Sequence, residues 1–367
     1  MIKGRYIPPQ LVEDFIGGLP ESVSREVVGS SVLGLPIHLL KLGTGTTKIF
    51  MWSQMHGNES TTTKALVDLI PWFLDPKQAN FQDFFTLYII PQLNPDGSKA
   101  YTRQNANEID LNRDAINRTQ PESKVLRTYY DRIQPDWCLN LHGQRTVFAA
   151  GSMGETASLS FLAPSADTQR TITPARAQAM RMIIALFNEL KKDLPNRIGR
   201  YDDGFNPNCV GDMFTMLNTP TILFEAGHIP NDYIREEARK YILKAFKVFL
   251  KTLLTNSKPS SIKPYFQIPE NTKDYVDLMV SNVAIGNKDN CIKNQQIAIQ
   301  YREELVRDQV EFIPYIVDFG VDLKIRSHRS FILPNHLGQI PLELEKNKTI
   351  KHPKFNALFS LKTKKIK

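Results

Sequence analysis

The segment KIFMWSQMHGNESTTTKALVDLIPWFL, residues 48–74, changes its hydrophobic period part-way along. Residues 48–55 are dense in Ile, Phe, Met and Trp, the composition of a buried strand. From residue 59 onward Ala65, Leu66, Leu69, Ile70 and Phe73 fall at helical spacing. This predicts a helix over 59–74, which Pro71, lacking a backbone N–H, should kink or end. Between the two periods stand His56-Gly57-Asn58-Glu59, and Gly-Asn is turn chemistry. Strand, polar turn and helix form the unit from which parallel sheets are built.

The unit recurs downstream. FTLYIIPQL (85–93), WCLNLHG (137–143) and TPTILFEAG (219–227) read as further strands, runs of branched or aromatic residues closed by Gly, Pro, Asn or His. A helix is expected at 173–193, with Thr173 as N-cap, Pro174 in the first turn and Met180, Ile183, Ile184 and Phe187 on its apolar face. Another is expected at 231–254, capped by Asn231 or Asp232, with Ile234, Ala238, Tyr241, Ile242, Ala245 and Phe249 facing inward. Alternating elements of this kind over 48–254 predict an α/β fold with a largely parallel sheet. At 255–264 the sequence becomes TNSKPSSIKP, a linker composition. Beyond it DYVDLMVSNVAI, NQQIAIQYREELV, VEFIPYIVDFG and SHRSFILP have strand character. The expected division is therefore a domain at 1–255, a linker at 256–264 and a small β-rich domain at 265–367 ending in a basic tail, Lys351 to Lys367.

Composition narrows the function classes. With 41% hydrophobic and 23% charged residues the chain can bury a large core. The three cysteines, Cys138, Cys209 and Cys291, are far apart and form no C-x-x-C pair, so neither a disulfide framework nor a thiolate metal site is expected. The net charge of +8 comes from scattered lysines without an interleaved aromatic patch, so no nucleic-acid partner is expected. The first residues lack the apolar core of a secretory leader, and no run of about 18 apolar residues occurs, so a cytoplasmic protein without a membrane span is expected.

The chemistry-bearing residues stand at strand ends. His56 and Glu59 can grip one ion across their turn, and His142 closes another apolar run. In an open α/β sheet the carboxyl ends of strands share one crevice, so residues 86 positions apart can meet there. Two histidines and one glutamate, with a fourth position open, form the donor set of a hydrolytic zinc centre. Taken alone, His142 also fits a histidine merely hydrogen-bonded at a strand end. Such a centre needs a carboxylate to move protons. Glu225 closes the apolar run TILFEAG; a buried structural ion pair is its other reading.

Further motifs follow in order: Asn94-Pro95-Asp96-Gly97, Arg103, and Asp110-Leu111-Asn112-Arg113. The ordered set H-x-x-E, N-P-D-G, R, D-x-N-R, H and E, over about residues 40 to 255, resembles the zinc carboxypeptidases of the M14 type. That resemblance implies a mixed, mostly parallel eight-stranded sheet flanked by helices. It implies one zinc ion held by His56, Glu59 and His142, with Glu225 activating a metal-bound water. It also implies that Arg103 stabilises the oxyanion, that Asn112 and Arg113 bind the free carboxylate of a peptide or amide substrate, and that Asp110 orients His56. The family's lid tyrosine is matched by Tyr201, aligned through Asp212, with Tyr233 as the alternative. The residue that sets side-chain preference is matched by Gly211, which offers neither charge nor wall. A related zinc amidohydrolase of the aspartoacylase or succinylglutamate desuccinylase type, a cell-wall peptide amidase, and a catalytically dead peptide-binding module are the competing readings.

Overall fold

The computed structural model describes residues 2–350 together with Phe355, Leu358, Phe359 and Leu361. The lysines of the expected basic tail lie outside the described residues. In chain order the strands are β1 (Ser24–Ser30), β2 (Pro36–Leu42), β3 (Thr47–Ser53), β4 (Phe85–Ile90), β5 (Trp137–Gly143), β6 (Phe148–Ala150), β7 (Leu159–Leu162), β8 (Ile198–Arg200), β9 (Thr221–Ala226), β10 (Asn271–Lys273), β11 (Tyr275–Gly286), β12 (Cys291–Val306), β13 (Gln309–Gly320), β14 (Arg326–Ile332) and β15 (Pro341–Leu342). The helices are α1 (Pro9–Gly17), α2 (Thr61–Leu74), α3 (Ala79–Phe84), α4 (Pro95–Ala100), α5 (Pro121–Ile133), α6 (Pro174–Leu190), α7 (Val210–Met216), α8 (Glu236–Leu254) and α9 (Asn335–Gly338).

An eight-stranded sheet runs β1-β2-β4-β3-β5-β9-β7-β8. Its centre, β4-β3-β5-β9, is parallel, as the alternating pattern requires, while β1-β2-β4 and β9-β7 pair antiparallel. Successive β3 side chains serve opposite faces. Ile49 and Met51 pack into the core shared with α2, α6 and α8, whereas Phe50 and Trp52 pack with α5 and α7. Burial on both faces is why the central strands read as unbroken apolar runs rather than alternating ones. The edge strand β1 is mostly exposed and correspondingly polar.

Two helix expectations shift. Pro71 does not end α2, which continues to Leu74; the helix carries the proline's missing N–H, and its ring against the carbonyl four residues back, within its last turn. Asn231 and Asp232 precede α8 by a turn, because Asn231 and Arg235 are left-handed (φ 66° and 62°) and the helix begins at Glu236. Asp232 still caps it: its carboxylate accepts from the N–H groups of Glu236 and Ala238, each at 2.9 Å. Thr173 caps α6 as expected, accepting from Arg176 N at 3.2 Å.

After α8 the chain returns to the large sheet. Tyr265 and Ile268 are buried in the α2–α6–α8 core, and the Tyr265 hydroxyl accepts from Ala163 N at 3.1 Å. Strand β10 pairs with β6. A second sheet, β13-β12-β11-β14 with β15 on β11, holds its own core of Leu278, Val280, Ile297, Ile299 and Ile316. Among the described residues no helix is long and apolar enough to cross a membrane.

Candidate metal centre

His56 and Glu59 lie on the turn after β3, His142 on β5, and Glu225 opposite His142 in the register of β9. Adjacent parallel strands thus deliver their terminal polar residues to one edge of the sheet. Gly57 permits the turn: a Cβ there would lie 1.9 Å from the backbone carbon of Gly97, so only glycine lets the two loops touch. Asn94 supports the same contact, its Oδ1 accepting from Gly97 N at 2.8 Å and its Nδ2 donating to Met55 O at 3.2 Å. Asp96 anchors the loop to residues 31–33, accepting from Ser31 Oγ at 2.8 Å and Leu33 N at 3.0 Å.

The donor atoms converge. His56 Nδ1 lies 2.9 Å from Glu59 Oε1, His142 Nδ1 lies 3.0 Å from Glu59 Oε2, and the two Nδ1 atoms are 3.1 Å apart. Both histidines are 2% exposed. His56 Nε2 is 3.0 Å from Asp110 Oδ1, which fixes the ring and leaves Nδ1 free to face inward. Burial works to lower the His56 pKa, but Glu59 and Asp110 outweigh it and raise it. Burial opposes the Glu59 charge too, yet His56 and His142 hold its carboxyl well below the usual range.

Glu225 behaves in the opposite way. Burial, then the nearby Glu59 charge, push its carboxyl well above the usual range against Arg103 and Arg235. Its Oε2 is buried with no hydrogen-bond partner among the described residues. Arg103 is pinned between Asp110 (Nη2 to Oδ2, 3.0 Å) and Glu59 (Nη1 to Oε1, 3.4 Å) with 42% of its side chain exposed. Asn112 accepts from Val210 N at 2.9 Å. The exposed Arg113 donates to Asn112 O at 2.6 Å and reaches Cys209 Sγ at 3.0 Å, with no carboxylate partner among the described residues.

His56, Glu59, His142, Glu225, Arg103, Asn112 and Arg113 line one cavity of about 980 Å³. Tyr201 lines it as well; its ring packs on Phe148, and its hydroxyl has no hydrogen-bond partner among the described residues. Tyr233 also lines the cavity, but its hydroxyl donates to Asp277 at 2.9 Å. Gly211 and Asp212 lie together at the first turn of α7; a Cβ on Gly211 would touch the Pro164 ring at 3.0 Å. Burial pushes the Asp212 carboxyl up to about 6.

Several residues of the site carried no sequence signal. Arg235, 2% exposed, donates to Ala226 O at 2.9 Å and Gln144 O at 3.0 Å, closing the ends of β9 and β5. Arg5, Asp277, Gln300, Tyr301 and Glu303 form a wall contributed by the chain start and by the second sheet. Only Asp277, a carboxylate interrupting the apolar run of β11, could have been noticed as Glu225 was.

A family model described as zinc carboxypeptidase matches residues 10–198, more than half of the chain. The chain belongs to that family. Among curated relatives of this zinc carboxypeptidase-family chain, Carboxypeptidase SOL1 of Arabidopsis thaliana is 30% identical over 141 residues, covering 33% of the chain and 29% of the relative. Carboxypeptidase M of Mus musculus is 26% identical over 175 residues, covering 39% and 40%. The chain thus spans well under half of these relatives' length. A metallo-carboxypeptidase from Burkholderia cenocepacia shares the fold, with a TM-score of 0.54, 19% identity and coverage of 69% of this chain and 70% of that one.

The family implies zinc, and the residues fit it. His56, Glu59 and His142 offer donor atoms all within 4.8 Å of one another. Donors placed tetrahedrally around zinc at 2.0–2.1 Å would be about 3.3 Å apart, close to the separations found. The second nitrogen of His56 meets the usual requirement for a carboxylate behind a zinc histidine.

Proposed function

We propose that the protein is a zinc metallocarboxypeptidase that hydrolyses the C-terminal amide bond of a peptide with a free carboxylate. The observation that carries this reading is the buried Glu225 Oε2, without a hydrogen-bond partner among the described residues, in the same cavity as the His56–Glu59–His142 set and Arg113, which has no carboxylate partner among those residues. When bound, zinc supplies Lewis-acid polarisation of a carbonyl and makes water acidic enough to attack at neutral pH.

The chain's own residues do the rest. His56, Glu59 and His142 hold the ion, and Asp110 orients His56. Glu225 takes the proton from the attacking water and returns it to the leaving amine; its raised proton affinity suits a group that must both accept and donate. Arg103 brings positive charge to the carbonyl oxygen as that oxygen becomes negative. Asn112 and the planar guanidinium of Arg113 bind the terminal carboxylate. Tyr201, on the loop after β8, covers the bound chain end.

The test compares kcat/KM on one peptide as free acid and as C-terminal amide, before and after zinc is chelated and restored. The free acid should be strongly preferred, and activity should vanish and return with zinc. Equal rates on acid and amide would leave an endo-acting or other amidohydrolase in its place.

A further inference from the structure

We propose that Glu303, on β12 of the second sheet, is a positioning residue for this site, holding both the metal-binding turn and the Arg103 loop in place. The proposal rests on the carboxypeptidase reading where turnover is concerned, but not where metal affinity is.

The geometry is a chain of short contacts. Glu303 Oε2 accepts from Arg5 Nε at 2.8 Å, and Oε1 accepts from Arg5 Nη2 at 3.0 Å, a bidentate pair. The Tyr101 hydroxyl donates to the same Oε2. Arg5 carries the link to the start of α2: its Nη1 donates to Thr61 Oγ1 at 3.2 Å, and its carbonyl accepts from Ser60 Oγ at 2.6 Å. Ser60 and Thr61, each 1% exposed, follow Glu59 directly.

Tyr101 carries the second link. It is left-handed (φ 57°), a conformation costly for a bulky residue and kept only where surroundings enforce it. Besides Glu303, its ring meets Tyr6 edge-on with centroids 6.1 Å apart. The next residue, Thr102, accepts from Asn58 N at 3.1 Å, inside the His56–Glu59 turn. The residue after that is Arg103. One carboxylate of the second sheet therefore braces the two loops that carry Glu59 and Arg103, from a position remote in sequence and without touching the donor atoms.

The experiment measures zinc affinity, kcat, KM and melting temperature for wild type, E303Q, Y101F and the double variant. E303Q keeps the side-chain shape and one acceptor oxygen; Y101F deletes a single hydroxyl. Expected for E303Q are a loss of about 10-fold in zinc affinity and about 10- to 100-fold in kcat, the usual range for groups behind a metal site, with KM little changed. Y101F should show a smaller loss in the same quantities, and the double variant should be no worse than E303Q because both cut one path. A lowered melting temperature with wild-type zinc affinity and kcat in the folded protein would overturn the proposal, since it would leave only a structural role. Should E303Q fail to fold, Y101F decides alone: wild-type zinc affinity and kcat there also overturn it. If wild type binds zinc but cleaves no free-acid peptide, the carboxypeptidase reading fails, and the zinc affinities still decide the role of Glu303.

Discussion

Glu225 at the end of β9 and Glu303 near the end of β12 face the same cavity and are treated in opposite ways. Glu303 is surrounded by donors from Arg5 and Tyr101, and its carboxyl is held below the ordinary range despite burial. Glu225 has an oxygen without a hydrogen-bond partner among the described residues and a carboxyl pushed well above that range by burial. A satisfied buried acid is a brace, because its charge is neutralised and its geometry is locked. An unsatisfied one is costly to the fold, and the proposed mechanism gives it a use as a group that gains and loses a proton.

The largest expected effect breaks this contrast at the Glu225 side. Glu225→Gln should keep zinc and fold normally but lose about 10² to 10⁴ in kcat. His142→Ala, by comparison, should lose the metal itself, as elemental analysis of both variants would show. Normal turnover in Glu225→Gln would reassign the proton transfer.

Next in size is the cation that lines the same cavity, Arg113. Truncating Arg113 should cost about 2–5 kcal/mol in kcat/KM on a free-acid peptide, because the substrate carboxylate is left unpaired. The same truncation should cost little on the C-terminal amide, where that carboxylate is already missing. Additive losses from Arg113→Ala and amidation would mean that the two do not meet.

A third acid, Asp277, sharpens the comparison. It accepts from Tyr301 N at 2.7 Å, from the Tyr233 hydroxyl at 2.9 Å and from Gln300 Nε2 at 2.5 Å, yet burial outweighs them and pushes its carboxyl from 3.8 up to about 6. Among the described residues no cation pairs with it as Arg5 pairs with Glu303. The folded chain therefore holds the Asp277 proton more tightly than the unfolded chain between pH 4 and 6, and this contribution to stability is present below the window and lost as pH rises through it. The loss amounts to at most about 3 kcal/mol. In Asp277→Asn that component should disappear, which denaturant unfolding of both proteins at pH 4 and pH 7 would reveal as a smaller pH dependence in the variant. An unchanged dependence would place the titration elsewhere.

The smallest effect lies outside both regions. Thr173→Ala removes the cap of α6 and should cost about 1 kcal/mol of stability, with kcat and zinc content as in wild type. A fall in kcat at temperatures where the variant is folded would show that α6 is coupled to the site.

The sequence by itself determined the central strands, the α/β class and the polar residues at the strand ends. These were legible because β3, β4, β5 and β9 are buried on both faces, so a His or Glu ending such an apolar run stands out. The spacing of His56 and Glu59 around Gly57 was legible for a similar local reason, a turn that only certain residues make. Tertiary structure alone decided that β1-β2 and β7-β8 flank the parallel centre, since short or exposed strands carry little hydrophobic period. It alone decided that Asn231 and Asp232 stand a turn ahead of α8, which left-handed backbone at two residues brings about. It alone brought Arg5, Tyr101 and Glu303 together, because a charged residue on a half-buried strand looks like a solvated one until its partner, almost 300 residues earlier, arrives through folding.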